Sequence, residues 1–201
     1  CELQLSQVEV DAFWSFVKKK SVPMLEQGRA GQAKWALLGM FEPGQGQSLV
    51  VAWAFGPTED ELAPEVVRLT RQRTHAQAGA SWVSDGRKAY EKAFGERTVL
   101  HYVHEERFNG VLRDRRNALT RKTHAFAKKP TSWDALVWLC LFDHNWMRLH
   151  RVLRERVAGL PGGRRYRPGT SARAIGLAEH VWSWEEFLTF RHYQKEWLLG
   201  L

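Results

Sequence analysis

Apolar and polar residues alternate along 7–20 (QVEVDAFWSFVKKK), where Val, Phe and Trp are frequent and a cationic tail follows. A period of two puts successive side chains on opposite faces of a strand, so this stretch predicts a strand running out into solvent. Asp11 lies inside it. After the Gly-rich loop PMLEQGRAGQ, the apolar runs KWALLGMFEP and SLVVAWAFGP are separated by GQGQ, the signature of a hairpin. Three consecutive antiparallel strands are therefore expected. In TEDELAPEVVRLTRQRT, Thr58 is placed to cap a helix whose first turn is acidic and whose end is basic, which suits both ends of the helix dipole.

Residues 80–86 (ASWVSDG) read as a short strand ending at Asp85-Gly86, RKAYEKAFG as a two-turn helix closed by Gly95, and TVLHYVH as a further strand. A long helix is predicted from Glu105 toward Phe126, and a second from near Ser132 through WDALVWLCLFDHNWMRLHRVLRERV, where aromatic and aliphatic positions recur at helical spacing. GLPGGRRYRPGTSARA reads as a mobile loop or an extended DNA-contacting arm, and the tail HVWSWEEFLTF is rich in Trp. There is no internal repeat. Three strands, a helix, a strand, a helix, a strand and then helices predict an α/β fold: a five-stranded mixed sheet flanked by helices, with a right-handed crossover into the fourth strand.

Charge changes this picture, because it is regional. Over the whole chain the formal net charge is +8, but residues 105–175 hold sixteen basic and six acidic side chains, and the remainder sums to −2. Such a concentrated surplus is the electrostatic footprint of a polyanion partner, although a solvated helix face carries the same signature. No run of eighteen apolar residues and no charged-then-apolar leader is present, so a cytoplasmic, nucleoid-associated protein with no membrane partner is expected. The chain opens on Cys1, which suggests an upstream segment, and two cysteines, Cys1 and Cys140, make neither a disulfide framework nor a four-ligand zinc site.

Cleaving a phosphodiester without a covalent nucleophile requires an activated water or 3′-hydroxyl and a stabilised leaving oxygen, and two metal ions about 3.5–4 Å apart supply both. Hard cations such as Mg²⁺ take oxygen ligands, so carboxylates must converge from different elements. At roughly 4 Å two carboxylates repel by about 4 kcal/mol at an effective dielectric near 20, so such a cluster implies its cations. Asp11 sits mid-strand, where Asp is depleted, and its plainer reading is a solvated edge residue. Asp85 stands at a strand end before Gly86 and a helix, where α/β sheets gather ligands and where turn residues are also common. Glu106 opens a helix and shares a face with Asn109, Arg113 and Asn117, although either Glu105 or Glu106 singly fits a first-turn acid.

Taken together, VEVDAFWSFVKKK, WVSDGRKAYEKAF and HEERFNGVLRDRRNALTRKTHAFAKKPTSWDALVWLCLFDHNW resemble the three catalytic blocks of bacterial transposases of the insertion-sequence-one family. The matching residues are Asp11 with Trp14-Ser15-Phe16-Val17, Ser84-Asp85-Gly86, and Glu106-Arg107-Phe108-Asn109 with Arg113. The resemblance implies an RNase H-like catalytic domain over 1–157, followed by a basic loop and Trp-rich tail over 158–201. It implies an Asp-Asp-Glu triad of Asp11, Asp85 and Glu106 holding two Mg²⁺ or Mn²⁺ ions, with Asp11 bridging both, and DNA strand cleavage followed by strand transfer. Asn109 and Arg113 would orient the third carboxylate, Glu106, and contact phosphate, Arg116, Arg121 and Lys122 would add contacts to duplex DNA, and a homo-oligomer would assemble on it. Motif register favours Glu106 over its neighbour Glu105.

The family's upstream zinc-binding and helix-turn-helix region has no counterpart here, and the interval from Asp85 to Glu106 is short for the wider class. Two alternatives stay open: an inactive or domesticated DNA-binding module, and another RNase H-like nuclease such as a junction resolvase. His101 and His104, three apart on a strand, point to opposite faces, and His144 and His150, six apart on a helix, also miss metal-ligand spacing. Trp133, Trp138 and Trp146 read as helix packing, Trp182 and Trp184 as a docked tail or a partner contact, and Ser15 and Ser84 lack a His partner for nucleophilic catalysis.

Overall fold

The computed structural model describes residues 3–17, 32–41, 48–75, 81–85, 87–95, 99–100, 105–120, 125–163 and 165–190. Strand β1 (Gln7–Val17) pairs antiparallel with β2 (Gln32–Phe41), which pairs antiparallel with β3 (Leu49–Gly56). On its other edge β1 pairs in parallel with β4 (Ser81–Ser84), which pairs in parallel with β5 (Val99–Leu100). The result is a five-stranded mixed sheet in the order β3-β2-β1-β4-β5, with β1 at its centre. The three-stranded antiparallel start expected from the alternation is present. GQGQ, residues 18–20 and His101 to His104 lie outside the described residues.

The alternation in β1 is used on both faces. Val8 and Val10 face the helices α1 (Glu59–Arg73) and α2 (Lys88–Phe94), joining a core with Leu62, Val66, Trp82 and Phe94. Phe13 and Val17 face α3 (Glu105–Arg115) and α4 (Pro130–Phe142), joining a second core with Leu38, Phe108, Leu112, Trp133 and Val137. A central strand buried on both sides explains why its polar positions are few, and why Asp11 stands out among them. Capping follows local chemistry: the Thr58 hydroxyl accepts from the Glu61 backbone N–H at the start of α1, and Gly95 ends α2 in the left-handed conformation at φ 76°.

Two helices are shorter than the apolar period predicts. α3 stops at Arg115, and only a 3₁₀ turn at Asn117–Leu119 follows, because the Thr120 hydroxyl donates to the Arg113 carbonyl and closes the end of the helix. α4 ends at Phe142 and widens into a π turn, Asp143–Met147, followed by a 3₁₀ turn at Arg151–Leu153. Tertiary hydrogen bonds override the helical period there. The Asn145 side chain accepts from the Val50 N–H at 3.0 Å and donates to the Val50 carbonyl at 2.8 Å, while His144 Nε2 donates to the Ser48 carbonyl at 2.8 Å. β3 is an edge strand, so Asn145 occupies backbone groups that would otherwise be unpaired. Replacing Asn145 with Ala strands both Val50 groups beneath the packed turn and is expected to cost about 2 kcal/mol in urea denaturation. A cost below about 0.5 kcal/mol would show that water replaces the amide there.

The segment expected to be a mobile loop or an extended DNA-contacting arm carries regular structure in its described residues. β6 (Glu155–Arg156) and β7 (Tyr166–Arg167) form an antiparallel hairpin, and α5 (Ser171–Ala174) docks beyond it, with Ala172 in the first core and the Ser171 hydroxyl donating to the Ser48 carbonyl at 2.9 Å. α6 (Trp184–Thr189) closes the described chain with a capping box between Ser183 and Glu186. Trp182 and Phe187 pack on Phe142, so this part of the tail docks on α4. Among the described residues no helix is long and apolar enough to cross a membrane.

Candidate functional site

The pairing of β1 with β4 covers only Gln7 to Glu9, after which β4 ends at Ser84. Carried two residues further, the same register would set Asp85 beside Asp11, and the charge of Asp85 does act on the Asp11 carboxyl. Asp85 thus stands just past the carboxyl end of β4, the kind of position at which α/β sheets place their ligands. Asp85 is held by a turn in which its Oδ1 accepts from the Arg87 backbone N–H at 3.1 Å. Asp11 is held from above the sheet: Asn109 of α3 donates from Nδ2 to Asp11 Oδ2 at 2.9 Å, across 98 residues of chain.

Asn109 is 6% exposed and flanked by Phe108 and Leu112, both buried in the second core, so α3 presses its amide onto the carboxylate. Burial, and behind it the charges of Asp85, Glu59 and Glu9, push the Asp11 carboxyl up to about 6, against the lowering effect of the Ala12 backbone N–H. A half-buried acid whose neighbours are acids gains from any cation that enters. Oxygen donors of this type fit a hard divalent ion.

Beneath this pair lies a group that the sequence does not single out. Glu59, the first residue of α1, is 8% exposed and accepts from the Tyr90 hydroxyl at 3.1 Å and from the Arg87 guanidinium. Burial, then the charges of Glu59, Asp85 and Asp11, raise the Tyr90 phenol far above its ordinary value and keep it a donor. Arg87 therefore ties Asp85, which its backbone N–H holds, to α1, which its side chain holds through Glu59. In the sequence, Glu59 is indistinguishable from the dipole-favoured acids Asp60 and Glu61. The available signal is Arg87 and Tyr90 immediately after Ser-Asp-Gly, a cation and a buried donor requiring an acid.

The other candidates divide three ways. Glu106 lies in α3 three residues before Asn109, and its side chain, with all of Arg121 and Lys122, is outside the described residues. Arg113 sets its guanidinium 5.2 Å from the centroid of Phe13, which is two residues from Asp11 on the same face of β1. Arg116 is exposed and borders a crevice between α3 and the π turn with Arg115, Cys140 and Arg148, away from the Asp11 contact. Among the described residues no three His, Cys, Asp or Glu side chains gather as a metal site. What they bring together is Asp11 with Asn109, with Asp85 and Glu59 close enough to act on the Asp11 carboxyl.

The remaining histidine and serine readings shift in detail. His144 and His150 are not on one regular helix; the π turn brings their rings to 5.6 Å. Burial lowers the His144 imidazole to about 3. Ser15 accepts from Trp133 Nε1 at 2.5 Å, a structural bond. No known family model and no curated protein matches the chain.

Proposed function

We propose that the protein is a DNA transposase with an RNase H-like catalytic domain, in which Asp11, Asp85 and Glu106 hold two Mg²⁺ or Mn²⁺ ions for strand cleavage and strand transfer. The observation that carries this reading is Asp11, half-buried on the central strand, oriented by Asn109 and raised in part by the charge of Asp85. The mixed five-stranded order with helices on both faces is compatible with that fold. Surface charge needs no such arrangement: a binding module gains nothing from an acid half-buried in the middle of the central strand and raised chiefly by that burial.

When bound, the ions would neutralise the acids and make a water or 3′-hydroxyl nucleophilic. The chain's own residues do the positioning. Asn109 fixes the rotamer of Asp11 by occupying Oδ2, and the Arg87 N–H fixes Asp85 through Oδ1. Glu59 and Tyr90 hold Arg87 and hence the loop that carries Asp85. Arg113, stacked on Phe13, offers charge to a phosphate beside the acids. Duplex DNA is the substrate, and a homo-oligomer on DNA is the working form in the cytoplasm.

With Mg²⁺ or Mn²⁺ the protein is expected to nick linear duplex DNA and join the cut end to a second duplex, and EDTA to stop it. Asp85→Asn should remove cleavage while leaving DNA affinity and the circular dichroism spectrum intact. Undiminished cleavage by Asp85→Asn removes the triad; cleavage of branched DNA without joined product turns the reading toward a nuclease.

A further inference from the structure

We infer that the β6–β7 hairpin is a rigid arm that grips the sugar–phosphate backbone of duplex DNA, an inference that rests on the transposase reading and adds to it a binding surface outside the acidic site. Arg156 and Arg167 on the two strands, and Arg154 and Arg165 directly before them, are all exposed, and among the described residues none of the four has a carboxylate partner. Arg156 lies opposite Tyr166, and Arg154 sets its guanidinium 4.0 Å from the centroid of the same ring. Alternation along β6 puts Arg154 and Arg156 on one face with the 40%-exposed Tyr166 between them, while Arg167 lies opposite Glu155 on the other. A guanidinium held on a flat aromatic ring, as that of Arg154 is, matches phosphate oxygens better than a flexible lysine does.

A solvated charge run needs no anchor, and this hairpin has one. Arg173, its side chain 9% exposed, donates to the Glu155 carboxylate at 2.7 Å, to the Pro168 carbonyl at 2.6 Å and to the Glu179 carbonyl at 3.2 Å. It thereby cancels the hairpin's one acid and clamps β6 to the chain leaving β7. Behind it the His150 N–H donates to the Gly169 carbonyl at 2.9 Å, and a Cβ on Gly169 would meet the Leu153 carbonyl oxygen at 1.9 Å, so only glycine permits this closure. The buried Thr170 and Ser171 continue the anchor toward Ser48. Arg173 is thus a positioning residue, shielded from phosphate, and the hairpin arginines make the grip.

The test is duplex affinity as a function of salt for the full chain. Arg154→Ala/Arg156→Ala/Arg167→Ala is expected to bind at least ~10-fold more weakly, with the slope of log affinity against log salt shallower by roughly 0.9 for each phosphate no longer neutralised. Arg173→Met should weaken binding less, with faster hydrogen exchange over the described hairpin residues. Unchanged affinity and slope in the triple variant overturn the arm. So does an equal weakening on anionic lipid vesicles, which marks general charge and not DNA. Asp85→Asn separates the two ideas: an inert triple variant alongside a cleavage-dead Asp85→Asn defeats the arm and leaves the enzyme, whereas weakened binding by the triple variant of a protein that never cleaves does the reverse.

Discussion

Asp11→Asn is expected to abolish the metal-dependent cleavage proposed above and, in EDTA, to make the protein more stable than wild type at pH 8. The two effects have one origin. The Asp11 carboxyl is raised from 3.8 to about 6, so the folded state holds its proton more tightly than the unfolded state does. Stability from that proton is fully present below the unfolded value and is lost as pH rises through 6, at about 1.4 kcal/mol per unit of difference. At pH 8 the metal-free site therefore carries a destabilisation of order 3 kcal/mol, which Asn removes while keeping an oxygen for Asn109. His144 acts in the opposite sense: lowered to about 3, it contributes stability above its ordinary 6.5 that is lost as pH falls. The two windows overlap, so the wild-type curve alone is nearly uninformative. The difference between Asp11→Asn and wild type isolates the site, and should approach about 3 kcal/mol at pH 8 and vanish below about pH 4 by chemical denaturation. A variant less stable than wild type at pH 8 would mean that the acid is structural, and the cation-seeking site would be lost with it.

The legible part of this protein is the part governed by local periods and caps. Alternation locates β1, and a hairpin signal joins β2 to β3; Thr58 and Gly95 bound two helices through side-chain and backbone rules that need no tertiary context. Asp11 and Asp85 are visible as acids where strands disfavour or end with them. Illegible are the features decided by contacts across the chain. The end of α4 cannot be read because Asn145 bonds Val50, 95 residues away, and that bond outweighs continuing an apolar helix. Glu59 cannot be read because its partners, Arg87 and Tyr90, lie 28 and 31 residues further on. The hairpin reads as a loop because its glycines and arginines carry no apolar alternation, and its order comes from Arg173 and Gly169 instead.

Trp133→Ala should be the most destabilising single change outside the acidic site, at about 4 kcal/mol, within the usual cost of truncating a buried large aromatic. Trp133 is 0% exposed, stacks on Phe13 at 6.2 Å and meets Phe55 edge-on at 5.7 Å, so it fills the space between α4 and both β1 and β3. Its indole N–H also satisfies the Ser15 hydroxyl inside that core. The two contributions can be separated: Trp133→Phe retains most of the ring area but leaves Ser15 without its donor, and is expected to cost about 2 kcal/mol. Adding Ser15→Ala should then recover about 1 kcal/mol, since an apolar pair is cheaper than an orphaned hydroxyl. Because Phe13 is two residues from Asp11 and carries Arg113 on its ring, the cavity is transmitted to the acids. In Trp133→Ala the stability gained by Asp11→Asn at pH 8 should therefore shrink as water enters and the burial of Asp11 relaxes. Urea denaturation of the four variants of this double-mutant cycle reads it directly, and strict additivity would show that the α4 core and the acid site are mechanically independent.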